Sequence, residues 1–200
     1  MKAIEQRRSI RKFKSDEVES EIIKQLLEAA QLAPSGSNIQ PWRFMAVTSE
    51  GMRAKLTECT LGMNFIAKAP LTMVCCTDLA ASEAKGERVM ELKNAGAFKD
   101  TPLENVDVSL YKEKSKLDDA ANLAYLNLNT AIAIEQMILR GTDLGLGSCW
   151  VMMFSQRKVK QLLNLPENIH VVALVPFGYP DQDPKPRPRI PMEQIFLGEV

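Results

Sequence analysis

The chain has 200 residues, 46% of them hydrophobic and 25% charged, a composition that excludes disorder and suits one globular domain. Lys+Arg and Asp+Glu number 25 each, so the net charge is zero; a nucleic-acid partner would call for an excess of positive charge and is excluded as the main partner. The four cysteines, Cys59, Cys75, Cys76 and Cys149, and the single histidine, His170, follow no ligand spacing, so buried reduced thiols are expected and a metal site is not.

In chain order, the N-terminal MKAIEQRRSIRKF is charged but has no apolar run behind it. No stretch is long and uncharged enough to span a bilayer, so a cytoplasmic protein without a membrane partner is expected. Ala3 to Arg8 has room for one or two helical turns. Ser15-Asp16-Glu17 reads as the start of a second helix reaching about Leu32, with Ile22, Ile23, Leu26, Leu27 and Ala30 on one face. Pro34 and Gly36 stop it. Phe44 to Val47 reads as a strand, Gly51 to Cys59 as a short helix, and Leu71 to Cys76 as a buried strand.

Residues 80–116 are rich in Lys, Glu, Asp and Asn and read either as surface helices or as a mobile flap. Leu117 to Leu144 reads as one long helix with apolar residues almost all round, which places it centrally or between subunits. Gly145 to Met153 turns and becomes strand, Gln156 to Leu163 is a short helix before Pro166, and His170 to Phe177 is a strand. The proline-rich tail from Gly178 must run extended. Strands alternating with helices point to an α+β or α/β domain with a sheet between helices.

Two clusters are basic. Arg7-Arg8-Ser9-Ile10-Arg11 offers three guanidinium forks and a hydroxyl to one phosphate, because the fork matches phosphate oxygens; the bland reading is a solvated basic segment. Arg187-Pro188-Arg189 stands on backbone stiffened by proline, and its bland reading is a linker. Together they suggest one anion held between the chain ends. LGLGSCW, from Leu144 to Trp150, follows a helix and opens a strand. It is therefore not a dinucleotide fingerprint, and reads either as a helix cap or as bared backbone for a planar ligand. With no nucleophile elbow, acid–base histidine or Walker loop, an enzyme built on this chain would rely on a cofactor for its reactive atom.

RRSIRKF, APSGSNIQPWRF, LGLGSCWV and KPRPRIPMEQI, in this order, resemble nitroreductase-family flavoproteins over essentially the whole chain, apart from residues 80–116. The resemblance implies a single nitroreductase-like domain over 1–200 in an α+β fold, with a central, mainly antiparallel sheet flanked by helices. It further implies a long buried central helix and an intertwined homodimer binding FMN at each end of the interface. Arg7, Arg8, Ser9 and Arg11 match the N-terminal flavin segment, with Arg7 at the phosphate and Arg11 at the pyrimidine edge of the ring. Arg187 and Arg189 match the pair that completes the phosphate site, and Ser35, Asn38 and Gln40 the loop lent by the other subunit. Gly147 and Ser148 match the segment beside N5 and O4. Trp42 is expected to pack in the core, and 80–116 to cover the substrate.

The implied activity is an NAD(P)H-dependent FMN oxidoreductase. Hydride passes to flavin N5 and electrons then reach a nitroaromatic or quinone-like acceptor by a ping-pong mechanism, Arg11 stabilising the reduced flavin. The alternatives are a non-catalytic FMN carrier or redox sensor of the same fold, and a reductive dehalogenase. A colourless protein without a tightly bound mononucleotide would point instead to an unrelated interaction domain.

Overall fold

The structure, a computed structural model, describes residues 2–105, 107 and 118–200. Four strands, β1 (Trp42–Val47), β2 (Leu71–Asp78), β3 (Gly147–Ser148) and β4 (Ile169–Gly178), form one sheet in the order β1-β2-β4-β3, every pair antiparallel. The two central strands are nearly continuous apolar runs, as strands covered on both faces must be. Their alternation assigns the faces. Met73, Cys75, Ala173, Val175 and Phe177 meet Leu26, Ala30, Ala133, Ile134 and Met137 from helices α2 (Ser20–Gln31) and α6 (Asp119–Asp143). Val74, Cys76, Val171 and Leu174 meet Leu56, Ile66 and Val159 from α3 (Glu50–Glu58), α4 (Phe65–Lys68) and α7 (Gln156–Leu162). Trp42 is 8% exposed within the first of these clusters, as core packing requires.

Helix α1 (Lys2–Gln6) leads into an extended segment, and α2 starts at Ser20, later than Ser15-Asp16-Glu17 suggested. The delay has a tertiary cause. Lys14 N–H donates to Tyr179 O at 2.8 Å, and Asp181 N–H to Lys12 O at 2.9 Å. The backbone through Lys14 is thus committed to the segment after β4, and Val18 is buried before the helix can begin. The four-residue α4 had no signal of its own.

Helix α6 opens on Asp118, whose side chain accepts from Ala121 N–H, and closes where Gly145 takes a left-handed φ of 80°. Leu117, the expected start, lies outside the described residues. Only one face of α6 is buried here: Leu128 is 64% and Ile132 37% exposed. Within 80–116, the described part forms a 3₁₀ turn (Leu79–Ala84), helix α5 (Lys85–Asn94) and turns to 105, α5 packing on the Gly36–Asn38 turn. Among the described residues, no helix is long and apolar enough to cross a membrane.

Candidate functional site

Both ends of the chain converge at the β3 margin of the sheet. Ser9 bridges Ser148 in parallel, and Ile10 N–H donates to Ser148 O at 2.8 Å. That contact explains Gly147: a Cβ there would lie 2.6 Å from Ile10 Cγ1, so only glycine lets the N-terminal segment lie so close. With Ile10 turned inward and 5% exposed, its neighbours are left toward solvent. After β4 the chain pairs Pro180 with Phe13 and carries the tail back past the same segment.

The result is a cavity of about 210 Å³ lined by Arg7, Arg8, Ser9, Pro184, Lys185, Arg187 and Arg189. A volume below the roughly 300 Å³ of whole-ligand pockets suits one charged group rather than an entire cofactor. Arg7 Nε lies 3.4 Å from Glu135 of α6, and Arg8 donates to its own backbone at Glu5 O and Arg7 O. Arg189 donates to Arg187 O and Pro188 O. The Arg187 guanidinium has no hydrogen-bond or ion-pair partner among the described residues. Among the described residues, one ion-paired carboxylate thus stands against four guanidinium groups, an arrangement that favours an anion.

Arg11 stands apart from the cavity, its guanidinium 6.0 Å from the centroid of Phe65 and beside the Cys149 thiol. Burial pushes that thiol's pKa up, and Arg11 partly offsets the rise. All four thiols are free and buried, with Cys75 well above its usual value and Cys76 at about 12, both through desolvation.

Ser35, Asn38 and Gln40 do not line the basic cavity. They sit on the loop between α2 and β1, whose Ser37, Asn38 and Gln40 all have positive φ (55°, 52° and 46°). Within the loop, Gln40 N–H donates to Ser35 Oγ at 3.0 Å and Gln40 Nε2 to Asn38 O at 3.2 Å. Gly147 and Ser148 are buried beneath Ile10 and also lie outside the cavity.

A second hollow of about 400 Å³ escaped the sequence reading; it is lined by Cys59, Thr60, Leu61, Met152, Met153 and Phe154 among others. Gly145 to Met153 reads as a turn that becomes strand, but only Gly147–Ser148 pairs as a strand, with isolated bridges at Val151 and Phe154. Met152 and Met153 are 64% and 56% exposed. Their run of apolar residues just past a glycine-rich turn was the available signal, and it points as readily to core.

The sequence matches the Nitroreductase family over residues 4–179. The chain belongs to that family. Among curated nitroreductase relatives, an NADH dehydrogenase of Thermus thermophilus is 29% identical over 191 residues, covering 96% of this chain and 91% of its own. An iodotyrosine deiodinase of Thermotoga neapolitana is 27% identical over 199 residues, with 96% and 92% covered. The fold agrees with a protein of Exiguobacterium sibiricum solved in complex with FMN (TM-score 0.83, 20% identity, 100% and 96% covered). It agrees equally with a nitroreductase family protein of Streptococcus pneumoniae (TM-score 0.80, 24% identity, 99% and 98% covered). The expected nitroreductase-like α+β fold is the one observed.

Proposed function

We propose that this nitroreductase-family chain is an FMN-dependent oxidoreductase that uses NAD(P)H to reduce a small nitroaromatic or quinone-like acceptor in alternating half-reactions. One observation carries the reading: guanidinium groups from both chain ends meet around a cavity sized for a phosphate. Arg7, Arg8, Ser9, Arg187 and Arg189 hold the FMN phosphate, a reading supported by the Arg187 guanidinium having no partner among the described residues. When bound, FMN supplies the chemistry by accepting an electron pair from the nicotinamide and passing it to the acceptor.

The chain's own work is electrostatic and positional. Arg11, exposed and free of any carboxylate partner among the described residues, supplies positive charge where the cofactor becomes anionic. Gly147 and Ser148 form the floor on which the N-terminal segment rests. Ser35, Asn38 and Gln40 serve the cofactor of a second copy, and their distance from this chain's own basic cavity supports that assignment. A homodimer is further supported by apolar surface left uncovered: Leu128 and Ile132 on α6, and Ile190, Ile195, Phe196 and Leu197 in the tail. The described part of 80–116 covers the substrate, a role supported by α5 packing on the same loop.

The likeness to an iodotyrosine deiodinase keeps one second reading, a reductive dehalogenase on the same site. The test is direct. Purified protein should carry flavin absorbance that bleaches on anaerobic mixing with NADH or NADPH and returns with a nitroaromatic or quinone. Halide release from a halophenol in place of that recovery favours the second reading. Bound flavin that neither nicotinamide reduces would make the protein a carrier, and a colourless protein that binds no FMN overturns the proposal.

A further inference from the structure

The Ser35–Gln40 loop is held partly by its own hydrogen bonds and partly from outside. Three of its residues, none of them glycine, take left-handed φ values, a region such residues rarely occupy unless their surroundings enforce it. The contact from outside comes from the middle of α6. Asn129, only 4% exposed, accepts Gly36 N–H on Oδ1 at 2.8 Å and donates from Nδ2 to Tyr125 O at 2.7 Å. This pattern admits one orientation of the amide, because flipping it would set donor against donor and acceptor against acceptor.

The neighbouring residues make the contact stiff. Gly36 brings its backbone against the helix because a Cβ would lie 2.0 Å from Tyr125 Oη. The next residue of α6, Thr130, shares a buried hydrogen bond with Thr77 of β2 at 2.7 Å, which ties that turn of the helix to the sheet. The far end of the loop has a separate clamp: Arg43 donates to Gln40 O at 3.2 Å while pairing with Asp78 at 2.9 Å. The loop is therefore referenced at both ends to the sheet.

We propose that Asn129 is a positioning residue for the cofactor. It sets the loop that presents Ser35, Asn38 and Gln40 before FMN arrives and touches no part of FMN itself. This rests on the reading that the loop meets the FMN of a second copy.

The test uses the full-length protein with Asn129→Leu, which keeps side-chain volume but leaves Gly36 N–H without an acceptor, and Asn129→Asp, which keeps the acceptor. FMN affinity is read by fluorescence quenching, the environment of the bound flavin by its visible spectrum, and FMN-free stability by melting. Asn129→Leu should raise the FMN Kd about 10- to 100-fold and alter the bound-flavin spectrum, with Asn129→Asp recovering only part of the affinity, since it keeps the acceptor for Gly36 N–H but sets its second oxygen against Tyr125 O. A Leu variant that melts earlier but binds FMN within about twofold of wild type reduces Asn129 to a structural residue and overturns this proposal alone. A wild-type protein that binds no FMN overturns it together with the functional reading. Should Asn129→Leu fail to fold, amide exchange in FMN-free wild type decides. Protection at Gly36 N–H supports the proposal, and open-loop exchange there overturns it.

Discussion

In the basic cavity, four arginines and a lysine stand on the two chain ends, and Arg8 and Arg189 donate to neighbouring backbone carbonyls. In the Ser35–Gln40 loop, small polar groups are held in strained backbone by a buried amide and an arginine–aspartate clamp. On the proposed reading, the first region recognises by charge and tolerates imprecise placement, since Coulomb attraction falls slowly with distance. The second recognises by hydrogen-bond geometry, which weakens steeply with misalignment and so needs an anchor. Losing a charge should weaken binding directly, whereas loosening the anchor should spoil binding without touching the ligand.

The largest effect should come from removing charge. Arg7→Ala with Arg187→Ala should raise the FMN Kd about 100- to 1,000-fold, as two charge-assisted contacts of roughly 1.5–2 kcal/mol each are lost. Added salt should weaken FMN binding in wild type more than in the double variant, as titration at two ionic strengths will show. Arg11→Ala separates binding from chemistry. Anaerobic stopped-flow should show flavin reduction slowed about 10- to 100-fold, with the Kd raised less than about threefold; equal losses in both would remove its assigned role.

On the geometric side, Gly36→Ala drives a Cβ into Tyr125 Oη and should raise the FMN Kd about tenfold. Tyr125→Phe in the same chain should relieve part of that rise, because it deletes the clashing atom. If the relief is absent, the close approach of loop and helix is not what the glycine serves.

The smallest effect lies away from both regions. Burial first, and Lys160 second, hold the His170 pKa below its ordinary 6.5. The fold therefore favours the neutral ring, and this contribution is whole above pH 6.5 and lost as pH falls through the lowered folded value. The melting temperature should drop by about 1–3 °C more in wild type than in His170→Gln between neutral and mildly acid pH.

Legibility differed sharply between the same two regions. Arg7, Arg8, Ser9, Arg187 and Arg189 could be nominated from residue type and spacing, because a guanidinium cluster keeps its chemistry wherever the chain puts it. Asn129 could not. Within LNLNTAIA it is one of three polar residues in a mainly apolar helix, and its meaning depends on Gly36, 93 positions away. Met152 and Met153 failed for the opposite reason, since apolar continuity cannot distinguish a strand in the core from a rim left exposed beyond a two-residue strand.

What the sequence determined by itself was the class of the main elements and the chemistry of the chain ends. Periodicity 3.6 against 2, Gly145 as a helix stop and clustered arginines act locally. The tertiary structure alone decided which arginines share a cavity, where α2 begins, which face of α6 stays uncovered and what restrains the Ser35–Gln40 loop. Each of these turns on a contact between residues distant in the chain, and no local pattern encodes the partner.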